Sequence, residues 1–213
     1  IPHLGKIADD VCLIRSMHTD VSNHTPGQLL MNCGHPVFGH PSMGSWINYG
    51  LGSESENLPG YVVMHAQTSF AEQSLFSRLW GTGFLPSDHQ GILLRSQGDP
   101  VLYLSNPAGV TRKDRRAQLD ALAALNQEQH KHFADAEILA RIKQHEMAYR
   151  MQSSVPELMD LSGESKQTLE AYGVDRPDLK GVGSRGKSGN THQVFARDCL
   201  LARRMVERGV RFV

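Results

Sequence analysis

The stretch His18–Gly34, with the sequence H-T-D-V-S-N-H-T-P-G-Q-L-L-M-N-C-G, decides the predicted fold. It follows the apolar run Val11–Ile14, whose pattern predicts a buried strand. Its second half contains the apolar segment Gln28–Asn32 and ends at Gly34, a residue typical of a helix C-cap. Pro26 is typical of the first turn of a helix. The stretch therefore predicts a strand, a polar loop and a helix, and α/β folds bind their ligands at the end of such a strand.

A candidate site lies in this loop, because His24 stands ten residues before Gly34. Neutral imidazole is a common metal ligand and a general base near neutral pH, and a helix start favours anions. We therefore interpret His24 as a candidate catalytic residue, and Asn23, Thr25 and His18 as candidate binding residues. His18 and His24 are also the candidate metal ligands. The alternative is that these are polar loop residues bonded to the backbone. If they form a site, Asn23 and His24 should point into the main polar pocket.

Several blocks of the sequence recur together in one family. They are Arg15–His18, Asn23–His24, Cys33–Gly34, Pro41–Trp46, Asn57–Tyr61 and Leu201–Val213. With these blocks the chain resembles an uncharacterised, sulfatase-like family of bacterial exported proteins called domain of unknown function 1501, which is abundant in planctomycetes. The resemblance covers most of the chain, and its last block is the most specific.

The resemblance implies an alkaline phosphatase-like fold, an α/β architecture with a mostly parallel sheet flanked by helices and a helical insertion. It also implies an exported or periplasmic hydrolase of sulfate or phosphate esters that uses divalent metal ions and acts on a small-molecule or glycan ester. In sulfatases of that superfamily the nucleophile precedes the helix-closing glycine by ten residues, and His24 holds that position here. Histidine stands in place of the residue that becomes formylglycine, or of the Thr or Ser of phosphatases. A non-catalytic binding protein on the same fold is therefore the alternative.

Composition excludes some classes of function. The 213 residues carry 22 basic and 22 acidic side chains, so the sequence lacks the excess of positive charge that is typical of nucleic-acid-binding proteins. No apolar run reaches the roughly 18 residues of a membrane span. The chain begins without Met and ends inside the predicted strand Val210–Val213, so we expect an internal fragment of a longer protein. The resemblance implies that further acidic and histidine segments lie outside it, so we do not expect the chain alone to be catalytic.

Cysteine usage is sparse. Cys12, Cys33 and Cys199 are odd in number and lack C-x-x-C spacing, so we interpret them as buried small hydrophobic residues. Because the resemblance implies export, a Cys12–Cys33 bridge is left open.

We expect one domain with four parts. Residues 1–66 hold the strand–loop–helix core and the candidate site, 67–110 are mixed strands and loops, 111–172 form a helical insertion, and 173–213 contain a Gly-rich loop, a helix and a returning strand. Parallel-sheet strands are predicted at Val11–Ile14, Tyr61–Met64 and Val210–Val213, and short strands at Ile92–Leu94 and Val101–Leu104.

Capping residues predict the helix boundaries. Ser42 and Thr111 are predicted to begin helices, and Gly173 to end one. Ser154–Glu157 has the S-x-x-E form of a capping box, which predicts the start of a further helix. In the last helix an apolar stripe is predicted to face the core; its members are Phe195, Cys199, Ala202 and Val206.

Gly181–Ser188 matches the phosphate-loop pattern G-x-x-x-x-G-K-[ST]. The segment before it contains Asp175–Asp178, which does not read as a buried strand, and the following helix begins late, near Thr191. We therefore interpret this stretch as a flexible Gly-rich loop. A nucleotide-binding module is the second alternative function.

Overall fold

Helices make up most of the fold, which is mixed α/β with a small parallel sheet. The computed structural model describes residues 2–66, 77–95, 98–177 and 191–213. The helices are α1 (Pro2–Gly5), α2 (His24–Cys33), α3 (Met43–Leu51), α4 (Arg112–Phe133), α5 (Ala136–Met159), α6 (Lys166–Tyr172) and α7 (Thr191–Glu207), and the strands are β1 (Val62–Val63) and β2 (Ile92–Leu93). Within these described ranges, no helix is both long and apolar enough to cross a membrane. The phosphate-loop match lies outside the described residues.

Polar residues and glycines set the helix ends. The Ser42 hydroxyl accepts a backbone N–H from the first turn of α3. Thr111 and Asp114 form a reciprocal capping box at the start of α4, with N–H to oxygen distances of 3.0 and 3.1 Å. Gly34 and Gly173 adopt left-handed conformations after α2 and α6, with φ of +70° and +78°. These four predicted caps are confirmed.

The strands run parallel on both sides of β1. Val62 pairs with Ile92 of β2, and on the other edge Tyr61 bridges Phe212. The Val62 N–H donates to the Phe212 carbonyl at 2.9 Å. The predicted strands at Tyr61–Met64 and Ile92–Leu94 are therefore confirmed as short parallel neighbours, whereas Val210–Val213 forms only a single parallel bridge at Phe212.

The core lies where α5 and α7 meet the strands. Its fully buried apolar side chains come from both helices and from the segments around β1, β2 and the C-terminal end; they are Leu58, Val62, Leu94, Met151, Val155, Leu158, Leu201, Met205 and Val210. Burying each of these side chains contributes roughly 1.5–3 kcal/mol. This cluster joins the helical region to the sheet.

The predicted strand Val11–Ile14 is wrong. The segment has no ladder partner among the described residues, and its side chains are exposed: Val11 is 50%, Leu13 80% and Ile14 63% accessible. An apolar run identifies a strand only when a neighbouring strand completes its hydrogen bonds. The proposed common sheet of Val11–Ile14 and Val210–Val213 is therefore not formed.

A predicted strand and a predicted helix start are also wrong. Val101–Leu104 forms a turn in which Tyr103 adopts a φ of +58°, which no strand accommodates. The Ser154–Glu157 box does not start a helix, because α5 continues through Pro156 to Met159. Ser154 instead donates its hydroxyl to the Asn57 carbonyl at 2.7 Å. Tertiary packing of the neighbouring Val155, which is fully buried, outweighs the local cap signal.

The predicted inward face of α7 is displaced by one residue. Phe195 and Val206 are 61% and 60% exposed, whereas Leu201 and Met205 are fully buried. The buried stripe also contains Asp198. This charged residue interrupts the apolar pattern, so the sequence alone did not identify the stripe as the buried one. One residue corresponds to a rotation of about 100° around the helix.

Ion pairs connect α7 to the segment before α6. Arg203 and Arg204 donate to the two carboxylate oxygens of Glu164 at 2.8 and 2.9 Å. Arg204 is largely buried and also donates to the Glu157 carbonyl at 3.1 Å. The Arg203 hydrogen bond, which exceeds the opposing effect of desolvation, holds the pKa of Glu164 below its ordinary value of 4.5.

Truncating the two faces of α7 should have unequal effects. Leu201→Ala should lower the free energy of unfolding by about 2–5 kcal/mol, because it leaves a cavity in the core. Val206→Ala, on the exposed face, should change it by no more than about 0.5 kcal/mol. Urea unfolding followed by circular dichroism measures both. An equal loss in the two variants would contradict the observed packing of α7.

Removing the Glu164 charge should alter the pH dependence of stability. A lowered folded-state pKa stabilises the fold above the ordinary carboxyl pKa, and this stabilisation is lost as pH falls. Glu164→Gln should therefore be less stable than the parent at pH 7, and the difference should shrink below about pH 4.5. Glu170→Gln, on an exposed side chain of α6, is the matched control. Urea unfolding at several pH values measures the difference in stability between the parent and Glu164→Gln. A difference that does not change with pH would exclude this linkage.

Candidate functional site

Asn23 and Gly34 fix the two ends of α2. Asn23 has an extended backbone, and its Oδ1 accepts the Thr25 N–H at 3.2 Å. This cap begins the helix at His24, and the left-handed Gly34 follows its tenth residue. Leu29 is buried and anchors the helix to the rest of the fold. The cap therefore holds His24 at a defined position, the N-terminal end of α2.

His24 lies in a groove of about 400 Å³ that follows one face of α2. Its imidazole is exposed. The groove is lined by residues of the helix and of the loop before it: Thr19, Val21, Ser22, Asn23, His24, Gly27, Gln28, Met31 and Asn32. This lining contains no carboxylate, so it places no negative charge against an anionic ligand.

The structure brings only two of the four candidate residues into the groove. Asn23 and His24 line it, whereas Thr25 and His18 are not among its lining residues. The His18 ring is exposed, and its Nδ1 lies 3.4 Å from the Ser16 carbonyl oxygen. Thr25 contributes its backbone N–H to the helix cap.

Backbone donors are scarce at this helix start. The Thr25 N–H is occupied by Asn23, and Pro26 has no N–H. The Gly27 N–H donates to the Asn23 carbonyl at 3.0 Å. Since the Thr25 and Gly27 donors are used within the protein and Pro26 has none, an anion at this position would depend mainly on side chains rather than on the helix backbone.

The candidate metal ligands His18 and His24 do not belong to a larger ligand set in the described parts of the chain. No group of three or more His, Cys, Asp or Glu side chains is arranged there to hold a metal ion. A structural or catalytic metal usually needs at least three protein ligands. The described residues therefore do not by themselves form a metal centre.

The three cysteines are free thiols. Cys12 is exposed rather than buried, which corrects its predicted environment. The Cys33 thiol donates to the Arg78 carbonyl at 3.9 Å, and burial raises its pKa above the ordinary value. Burial likewise raises the pKa of Cys199. Both of these thiols are therefore poorly suited to act as nucleophiles at neutral pH.

A second cavity, of about 320 Å³, lies between α3 and α5. Its mouth contains Lys143, whose Nζ donates to Asp88 Oδ2 at 2.8 Å. Its floor is apolar and includes Met147 and Met151, which belong to or pack on the core. Two polar atoms of its lining residues, Asp88 Oδ1 and His89 Nδ1, are buried without a hydrogen-bond partner in the described parts of the chain.

The sequence analysis missed an exposed cluster of aromatic rings around α3. Trp46 and Tyr49 lie one helical turn apart and are 46% and 53% exposed, and Phe84 packs edge-on to Trp46. The i, i+3 spacing of Trp46 and Tyr49 was the available signal, since it puts both rings on one helix face. Their proximity to Phe84 depends on tertiary structure.

Comparison with known proteins places the chain in a family. A family model described as a protein of unknown function, DUF1501, matches residues 1–213. No curated protein and no solved structure matches the chain. Because the match extends over every residue of the sequence, the resemblance found in the sequence blocks is confirmed at the level of the family. The chain belongs to the DUF1501 family.

Proposed function

We propose that this protein hydrolyses sulfate or phosphate esters, with His24 as the reacting side chain. The observation that carries the proposal is the exposed imidazole of His24 at the first position of α2, inside a groove without carboxylates. The ten-residue spacing from His24 to Gly34 supports it, because the nucleophile of the sulfatases that the family resembles has the same spacing.

Two chemical routes are open to an imidazole in this position. As a nucleophile, a ring nitrogen forms a bond to the sulfur or phosphorus atom while the alcohol oxygen leaves with the bonding electrons; water then displaces the imidazole and releases sulfate or phosphate. As a general base, the ring takes a proton from a water molecule that attacks the same atom. In both routes the amide of Gln28, which lines the groove one turn further along α2, is available to hydrogen-bond an ester oxygen.

The alkaline phosphatase-like fold belongs to this proposal. Its support is the parallel pairing of β1 with β2 and with the segment around Phe212, and the helix α2 that presents His24. Divalent metal ions and an exported location also stay predictions. Because the described residues do not form a metal centre, no step of the chemistry is assigned to a metal.

A binding protein that holds an anionic ester without cleaving it is the second candidate. The groove is lined mainly by neutral hydrogen-bonding side chains, among them Thr19, Ser22 and Gln28. Such a lining suits recognition of ester oxygens as well as catalysis. Turnover distinguishes the two candidates.

Replacing His24 should remove hydrolysis without unfolding the protein. We expect His24→Ala to lower kcat/KM at least about 100-fold, which is the usual contribution of a general base. An exposed side chain at a helix start contributes little to packing, so the unfolding midpoint should stay close to that of the parent. Turnover of 4-nitrophenyl sulfate and 4-nitrophenyl phosphate by the full-length protein measures the effect.

His132→Ala is the matched control, because this histidine is also exposed but lies on α4. It should leave turnover unchanged. Equal activity in the parent and in His24→Ala would remove His24 from the mechanism. Absence of turnover in the parent, combined with saturable binding of the same esters, would favour the binding protein.

A further inference from the structure

The cavity between α3 and α5, here called the α3–α5 cavity, has an apolar interior. Its volume of about 320 Å³ lies within the range of small-molecule sites, about 300–1,000 Å³. Ile92 of β2 and Met147 of α5 pack against the core and also line this cavity, and the buried Met151 lines it as well. A small ligand with an apolar body would therefore remove apolar surface of both partners from water when it binds.

Hydrogen bonds attach two walls of the cavity to α5. On one side Gln152 Nε2 donates to the Leu104 carbonyl at 2.8 Å. On the other side Gln144 Nε2 donates to the Ser87 hydroxyl at 3.0 Å, and the Ser87 N–H donates to Glu137 Oε1, also at 3.0 Å. Because these bonds exist without a ligand, the shape of the cavity is formed before binding, which lowers the entropic cost of binding.

The Asp88 carboxylate at the mouth of the cavity is only half used. Its Oδ2 accepts a hydrogen bond from Lys143 at 2.8 Å, whereas its Oδ1 is buried and has no hydrogen-bond partner among the described residues. A buried acceptor without a donor costs free energy, and more so when it carries charge. Asp88 Oδ1 therefore calls for a donor that the described part of the protein does not supply.

His89 offers a second unused acceptor beside Asp88. Its Nε2 lies 3.6 Å from Asp88 Oδ1, and a neighbouring carboxylate favours the tautomer that carries the proton on this nitrogen. In that tautomer Nδ1 is an acceptor, and it too is buried without a partner in the described ranges. Two lining residues of the cavity thus lack donors rather than acceptors.

The lysine of the ion pair is easily exchanged for another cation. The Lys143 side chain is 68% accessible, whereas that of Asp88 is 11% accessible. An exposed lysine gains little from such a pair, because water and salt screen it and a long side chain must be held in place. A ligand cation therefore displaces Lys143 into water at low cost, while the carboxylate stays where it is.

These features select among classes of small molecule. A carboxylate or phosphate ester would be repelled by Asp88, and a hydrocarbon would leave Asp88 Oδ1 without a donor. A primary ammonium carries three donors, enough for both carboxylate oxygens and His89 Nδ1. Met147 and Met151 favour an aromatic body, since thioether sulfur packs well against aromatic rings.

We propose that the α3–α5 cavity binds a small arylalkylamine, with Asp88 as the residue that holds its ammonium group. The ammonium replaces Lys143 at the carboxylate and also donates to Asp88 Oδ1, and the aromatic ring lies against Met147 and Met151. Among the described residues the cavity shares no lining residue with the α2 groove, so this binding is independent of the proposed ester hydrolysis.

Calorimetric titration of the full-length protein with 2-phenylethylamine and tryptamine tests the proposal. We expect saturable binding of at least one of them at concentrations up to about 10 mM. Three matched probes should each bind at least about tenfold more weakly: 2-phenylethanol and 3-phenylpropionate lack the ammonium, and methylamine lacks the aromatic body. The proposal is overturned if neither amine binds, or if the alcohol or the acid binds as tightly as the amine.

Two substitutions should change the amine affinity in different directions. Asp88→Asn should weaken binding at least about tenfold, because it removes the charge that holds the ammonium. Lys143→Met should leave the affinity unchanged or raise it, because it removes the competing cation and keeps an apolar stem of similar length.

Glu128→Gln is the matched control, since Glu128 also pairs with a lysine, Lys131, at 2.8 Å but does not line the cavity. It should leave the affinity unchanged, and circular dichroism checks the fold of every variant. If Asp88→Asn does not fold, the probe series and Lys143→Met decide. Equal affinity in Asp88→Asn and the parent, or a tenfold loss in Lys143→Met, would overturn the proposal.

Discussion

The contact between α7 and α5 is the interaction on which the rest of the structure depends. Leu201 and Met205 are fully buried against Val155 and Leu158, and the same cluster includes Val62 of β1. Because both strands are only two residues long, their few hydrogen bonds do not hold them together alone. Burial of the strand side chains under the two helices supplies the missing stabilisation.

The end of α7 also completes the sheet. The chain turns at Gly209, whose φ is +85° and where a Cβ would lie 2.8 Å from the Glu54 backbone. The Arg211 and Phe212 N–H groups then donate to the Gly60 carbonyl at 3.1 and 3.0 Å. Docking of α7 thus determines where β1 lies, and with it the Tyr61 ring on which α3 rests.

The orientation of α3 depends on this support. Tyr61 packs directly against Gly44 of α3, at a distance that no larger residue would allow, and this contact directs the opposite face with Trp46 and Tyr49 to solvent. His24 begins α2, and the stacked rings of His35 and His40 follow its end. A helix of ten residues is about 15 Å long, and the groove follows one face of α2 from Asn23 to Asn32.

The sequence by itself determined the features that depend on local chemistry. Caps such as Ser42, Thr111 and Gly34 were predictable because their side chains or backbone conformations satisfy nearby N–H and C=O groups. The family resemblance also followed from the sequence. In contrast, His24 and Asn23 were predicted as site residues from spacing and resemblance, and only their position in a groove comes from the structure.

Only the tertiary structure decided which apolar segments are buried. Val11–Ile14 has the pattern of a strand but no neighbour to pair with in the described residues, and the apolar stripe ending at Val206 faces solvent because the adjacent stripe, despite Asp198, packs on α5. The ring contacts of Phe84 with His40 and Trp46 join segments that no local pattern connects. Burial and such long-range contacts depend on partners distant in the chain, and for this reason a single sequence does not specify them.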